Sequence, residues 1–215
     1  MVSLSRFAVV SEEGVTFQAP VDGSEMLLTP EVSVGIQNQL GADFIMALDN
    51  VVSSPGRPPV GQALRYCMGV GYPEDLVVCV AFGTTMFDCV YPARTARFGA
   101  ALVPGGLLKL RSAACAADFR PVDPSCPCST CATYTRSYLH ALARGGGEGV
   151  AVAGQLLTLH NVAYLTGLIR RARTAILGGV FPDWVRASMA DLCPGGDYPQ
   201  WSSEALAAAG IPRGV

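Results

Sequence analysis

Three cysteines within one short stretch, Cys126-Pro-Cys128-Ser-Thr-Cys131, constrain this chain more than any other feature. Thiolates two and three positions apart let a single tight loop present three ligands of a tetrahedral ion, and the fourth must come from elsewhere. By residue type the candidates are His140, His160, Cys115 and Cys193, and spacing alone does not choose among them. A disulfide framework would distribute the eight cysteines more evenly. In an intracellular chain, clustering of this kind points to metal instead. With all four positions filled by protein, such a site is structural rather than catalytic.

Composition narrows the rest. A length of 215 residues suits one domain, or one domain with an appendage. Hydrophobic residues make up 50% and charged residues 15%, which excludes disorder for the bulk of the chain. A net charge of −2 excludes a whole-protein cationic field, so any RNA contact must use a local patch. The longest continuous apolar runs, such as 76–82, fall well short of a membrane span. The first ten residues lack the apolar region and cleavage site of a signal peptide. The expectation is a soluble intracellular protein. Lys109 is the only lysine among 15 basic residues. Arginine suits bidentate phosphate contacts, although a base bias in the coding sequence accounts for the same excess.

Residues 14–28 read as a turn-rich β-hairpin entry. Thr29-Pro30-Glu31 opens a helix to about Leu40, with a capping Thr, Pro at the first position and an acid in the first turn. Residues 43–49 (DFIMALD) and 65–70 read as buried strands. Pro73-Glu74-Asp75 starts a helix that runs to Phe82, and a third strand covers 85–90. Strand, turn, helix, strand is a βαβ unit of a parallel sheet, with active residues expected at strand C-terminal ends. Helical segments are expected near 131–144, 156–177, 181–190 and 202–209, with Gly145-Gly146-Gly147 as a flexible break. Those glycines do not form a phosphate loop, because no strand precedes them and no GK[ST] follows. Gly69-Val-Gly71 fails as a dinucleotide fingerprint, since Glu74 occupies the third glycine position.

Asp49 and Asp88 each fall at or near the end of a predicted strand, where α/β sites concentrate. A carboxylate in an apolar strand is costly unless partnered, so each is either a hydrogen-bonded structural Asp or a functional one. Past Asp88, Pro92-Ala-Arg94-Thr-Ala-Arg97 reads as a strand-exit loop, either ordinary and solvated or gripping phosphates or a base edge. Arg170, Arg171 and Arg173 read as the exposed face of an amphipathic helix.

These features occur within stretches that resemble the tRNA-guanine transglycosylases, in their eukaryotic rather than bacterial form. The stretches are SEEGVTFQAPVDGSEMLLTPE, GADFIMALDNVVSS, RYCMGVGYPEDLVVCVAFGTTMFDCVYPARTARFGAAL, DFRPVDPSCPCSTC and LTLHNVAYL. The resemblance implies an α/β fold, a partial (β/α)8 TIM-type barrel over 1–110 with a C-terminal zinc-binding helical subdomain over 111–215. It implies exchange of guanine for queuine at the wobble position of tRNAs with a GUN anticodon. It also implies a heterodimer with the non-catalytic accessory subunit of the same family, and a cytoplasmic enzyme, also peripheral to the mitochondrial outer membrane. Asp88 matches the nucleophile that attacks ribose C1′, and Asp49 matches the carboxylate that hydrogen-bonds the bound base. Met68 and Gly69 match the pocket wall beside that base. Gly69, Val70, Gly71, Tyr72, Pro73, Glu74 and Asp75 match one tRNA-contacting segment. Ala93, Arg94, Thr95, Ala96 and Arg97 match the other, with Ala93 where the family usually has Thr. Cys126, Cys128, Cys131 and His160 match the zinc ligands, so the resemblance selects His160.

The resemblance also implies departures. The sequence is expected to begin after several barrel strands, without the Asp-Ser-Gly-Gly segment whose Asp serves as general acid/base. A second block, holding the Gln-Gly-Gly and Gly-Gly segments of the base pocket, is missing between Ser54 and Arg65. A parallel crossover normally needs a dozen or more residues and usually a helix, while 50–64 reads as a Pro/Gly loop. Three readings follow: a transglycosylase; a truncated, inactive zinc-containing isoform or fragment acting only in binding; and a zinc-stabilised structural domain.

Overall fold

The computed structural model describes residues 8–11, 13–19, 21–41, 44–46 and 64–212. These form a mixed α/β protein that divides into two compact units, residues 1–68 with 83–87 and residues 69–82 with 88–215. The expected strand over 43–49 and loop over 50–64 lie largely outside the described residues.

In the first unit, strands β1 (Ala8–Val10), β2 (Val15–Gln18) and β3 (Glu25–Leu28) form an antiparallel meander that contains the expected hairpin. Helix α1 (Pro30–Gln39) begins as read from sequence: the Thr29 hydroxyl accepts the Val32 N–H at 3.2 Å and Pro30 opens the first turn. Strand β4 (Phe44–Met46) runs parallel to β5 (Leu64–Met68), and β6 (Met86–Asp88) completes the order β4-β5-β6.

The second unit starts with α2 (Pro73–Ala81), the predicted helix between β5 and β6, which buries Leu76, Val77, Val78 and Cys79. Residues 91–97 are a helix, α3 (Tyr91–Arg97), rather than the expected loop. Pro92 sits in its first turn, and Pro92, Thr95 and Ala96 form its buried side. Seven residues are too few to show a helical period in sequence. A hairpin follows, β7 (Ala100–Val103) and β8 (Gly106–Lys109), turning through Gly105 at φ +85° and Gly106 at φ +124°.

The expected helical segment 131–144 divides into α4 (Ser129–Thr133) and α5 (Arg136–Arg144), with Thr135 capping the second. Helix α6 (Glu148–Leu177) starts eight residues earlier than read, directly after the glycine break. Helices α7 (Phe181–Leu192) and α8 (Gln200–Ala208) complete the chain as expected. The core joins Ala96, Ala101, Leu110, Cys115, Val122, Leu139 and Leu157, so α3, β7, α5 and α6 share one apolar interior.

By length and composition α6 could cross a membrane, which the reading of continuous apolar runs did not anticipate. Its apolar residues are interrupted by Gln155, Thr158, His160 and Asn161, and one face packs against α3, α5, β7 and α2. Arg170, Arg171 and Arg173 lie exposed on it, as expected.

Candidate active site and metal centre

The sulfurs of Cys126, Cys128 and Cys131 and a ring nitrogen of His160 lie within 4.8 Å of one another. The loop and α4 supply the thiols, and α6 supplies the histidine. Cys128 is itself the N-cap of α4, its Sγ accepting the Cys131 N–H at 3.4 Å. At Cys126 and Cys131 backbone hydrogen bonding opposes the upward push of burial on the thiol. Backbone donors aimed at sulfur favour the thiolate form that binds cations.

His160 is completely buried. Its Nε2 lies 2.8 Å from the Leu102 carbonyl. A carbonyl only accepts, so Nε2 carries the proton and the Nδ1 lone pair faces the thiols. Nδ1 stands 3.2 Å from Cys131 Sγ and 3.6 Å from Cys128 Sγ. With Zn–S of ~2.3 Å and Zn–N of ~2.0–2.1 Å, a tetrahedral edge between N and S is about 3.5 Å. The donor set and its spacing therefore fit a zinc-sized ion. Burial lowers the His160 pKa, which keeps the ring in the neutral, ligating form. Burial pushes Cys131 up to about 12 and also raises Cys126, so these two thiols stay protonated without a cation, and a bound cation would draw them into the thiolate form.

Geometry agrees with the resemblance on the fourth ligand. His140 Nδ1 is turned to the Leu110 carbonyl at 2.7 Å, and Cys115 lies near the Lys109 carbonyl. Cys193, at the end of α7, is not part of the group. The loop before the cluster is held by Arg136, which donates to Asp118, Pro121 O and Val122 O at 2.8–3.0 Å. Arg120 and then Arg136 hold the Asp118 carboxyl well below its usual range.

Asp88 closes β6 with its side chain exposed. The Gly69 N–H donates to its Oδ1 at 3.2 Å, at a turn where φ is +77°. A Cβ on Gly71 would collide with Cys89 Sγ and sit 2.6 Å from Cys89 Cβ, so glycine there lets the two loops approach. Tyr72 and Tyr91, neither singled out from sequence as a pair, meet with ring centroids 4.2 Å apart. On α3, Thr95 and Ala96 are buried while Arg94 and Arg97 are exposed. The structure thus brings residues 69–75, Asp88, 93–97 and the metal cluster into one compact unit. Met68 ends β5 in the other unit, and Asp49 lies outside the described residues.

In the first turn of α2, burial raises the Asp75 pKa to about 6, with Glu74 adding repulsion. The folded pKa exceeds the unfolded one, so the stabilising protonation is fully present below the unfolded value and lost as pH rises through about 6. Asp75→Asn is therefore expected to be more stable than the parent at pH 7.5, with the difference shrinking as pH falls toward 4. Paired thermal melts across that range measure it; a difference independent of pH would contradict the assignment.

A family model described as Queuine tRNA-ribosyltransferase matches the chain in two segments, 1–60 and 60–193. A Thermus thermophilus queuine tRNA-ribosyltransferase is 34% identical over 290 residues, covering 98% of this chain and 74% of the relative. The catalytic subunit of the Schizosaccharomyces pombe enzyme is 32% identical over 296 residues, covering 96% and 72%. That of Caenorhabditis elegans is 34% identical over 257 residues, covering 82% and 63%. The Thermus alignment spans 290 positions and this chain has 215 residues, so at least 75 positions of the relative face no residue here. The family match breaks at residue 60, within the interval read from sequence as lacking a block.

Proposed function

The chain belongs to the queuine tRNA-ribosyltransferase family of tRNA-modifying transferases, and from that premise we propose that Asp88 is the nucleophile of a guanine-for-queuine exchange at the wobble position of GUN-anticodon tRNAs. The observation that carries this reading is the placement of Asp88 at a strand end, exposed, with the Gly69 N–H fixing one carboxylate oxygen and two exposed arginines on the helix that follows.

In this reading an Asp88 carboxylate oxygen attacks ribose C1′ while the glycosidic bond breaks and guanine leaves with its electron pair, taking up a proton. The result is a ribosyl ester of the protein. The incoming base attacks C1′, loses a proton and displaces the carboxylate. Arg94 and Arg97 grip phosphates flanking the nucleotide, and 69–75 with 93–97 line the anticodon. The resemblance assigns Met68, Gly69 and Asp49 to recognition of the base. Cys126, Cys128, Cys131 and His160 hold zinc, which with four protein ligands supplies structure rather than a Lewis-acid site. Residues 1–110 supply a partial (β/α)8 barrel and 111–215 the zinc-bearing helical part.

The name "catalytic subunit" carried by the eukaryotic relatives supports pairing with an accessory subunit. A cluster that needs reduced thiols supports a cytoplasmic location, with peripheral attachment to the mitochondrial outer membrane carried over from the resemblance. The break at residue 60 favours a second reading, a metal-stabilised RNA-binding isoform without turnover.

The test is covalent trapping. An RNA stem-loop with a GUN anticodon, incubated with the protein and a competing base analogue, is expected to give a denaturation-resistant adduct that Asp88→Asn abolishes. RNA binding without any adduct would favour the second reading, and an adduct surviving in Asp88→Asn would remove Asp88 as nucleophile.

A further inference from the structure

The reaction outlined above makes no use of Asn161, yet its side chain is completely buried and fully partnered. It follows His160 on α6. Its Oδ1 accepts the Leu102 N–H at 2.8 Å, and its Nδ2 donates to the carbonyls of Pro92 at 3.0 Å and Ala100 at 3.2 Å. The other backbone group of Leu102, its carbonyl, takes the His160 Nε2 proton. Two consecutive residues of α6 therefore hold both polar groups of one β7 residue, and the second also reaches the first turn of α3, just past Asp88.

Packing alone does not call for an amide here. Asparagine is a poor residue for a helix interior, and burying it costs free energy unless every polar atom is paired. Once paired, a buried network fixes one arrangement of the elements that it joins, because any displacement leaves several groups unsatisfied. The far end of α3 packs against the same helix: a Cβ on the buried Gly154 of α6 would be in ordinary contact with Arg97 Cα, at 3.9 Å. Both ends of α3 are thus referenced to the helix that also carries the metal-facing histidine.

We propose that Asn161 is a positioning residue for the exchange site: with His160 it locks β7 and the start of α3 to α6, and so sets where Asp88, Arg94 and Arg97 stand. The proposal rests on the functional reading above, but its geometric half can be tested without it.

The experiment is hydrogen exchange on the full chain, metal-loaded and after chelation, for the parent and for Asn161→Leu. In the metal-loaded variant the amides of 93–103 are expected to exchange on the order of ten- to a hundredfold faster, the effect of leaving buried carbonyls unpaired. Metal content should stay at the parental level, and the cobalt-substituted variant should keep the parent's thiolate-to-cobalt absorption. Affinity for a stem-loop RNA with a GUN anticodon is expected to fall roughly tenfold, because two phosphate-binding side chains lose their setting. Chelation of the parent should speed exchange in 93–103 as well as in 126–131. Unchanged exchange over 93–103 in the variant, or loss of its metal, would overturn the positioning role. If Asn161→Leu does not fold, protection of 93–103 that survives chelation of the parent would overturn it instead. Failure of the parent to bind the RNA would count against the functional reading and leave the exchange result to decide the geometry.

Discussion

Chelating the metal from the purified protein is expected to unfold most of the unit that carries the cluster. An ion held by this cluster would join the 126–131 loop to the middle of α6 through four ligands, and α6 in turn supports α2, α3, α5 and β7. Structural zinc contributes apparent folding energies of ~10–16 kcal/mol in small zinc domains, against ~5–15 kcal/mol of net stability for a typical domain. Removing a term of that size leaves little to hold three buried or half-buried thiols and a buried neutral imidazole together. Elemental analysis should find about one equivalent of zinc per chain, the occupancy that one four-ligand site implies. Cys126→Ser and His160→Ala should both lose it. Comparing the two is informative: the first breaks only the metal site, and the second also orphans the Leu102 carbonyl, so it should melt lower still. Full metal content in His160→Ala, or loss in His140→Ala, would refute the ligand set.

The cluster was readable in sequence because its constraint is local: three thiols within six consecutive residues, the second of them capping the short helix that carries the third. The fourth ligand was not, because His140 and His160 are the same residue type and no spacing pattern sets one apart. What separates them is the acceptor that each finds, Leu110 O for Nδ1 of one and Leu102 O for Nε2 of the other, which is a property of the packed interior. The start of α1 was legible because Thr29 caps it and Pro30 follows. The start of α3 was not, since no side chain caps it at Val90 and the helix has only seven residues. The α3 strip shows the same limit from the other side. Its arginines stood out by charge, but the residues that hold them in place, Thr95, Ala96 and Asn161, are small or polar and carry no signal until their neighbours are known. The hairpin β7–β8 was missed because Ala100 and Ala101 have weak strand propensity, and burial decides their conformation.

A protein of these 215 residues is expected to exchange guanine in a GUN-anticodon tRNA orders of magnitude more slowly than its long relatives. In the proposed reaction Asp88 supplies an anion for C1′, but the reaction also moves a proton onto the departing base and off the arriving one. A positioned acid/base group contributes ~10²–10⁴-fold to such steps. By resemblance the group lies in an Asp-Ser-Gly-Gly segment that this sequence does not contain. At least 75 positions of the relative face no residue here, and the family match breaks near residue 60, where the base-pocket segments are expected to be missing. A base held by part of a pocket samples many poses, and a displacement of ~1 Å can cost ~10²-fold. The two losses affect different steps, proton transfer and orientation, so they should combine rather than overlap. The measurement is incorporation of labelled guanine or queuine into the tRNA by the purified chain, alone and with the accessory subunit, beside a full-length relative. If an added partner restored turnover, the missing groups would be supplied in trans. Turnover by the chain alone at the relative's rate, abolished by Asp88→Ala, would mean that an acid/base group stands among these residues. Asp75, half-buried with its pKa raised to about 6 in the segment that follows Gly69, would then be the first to replace.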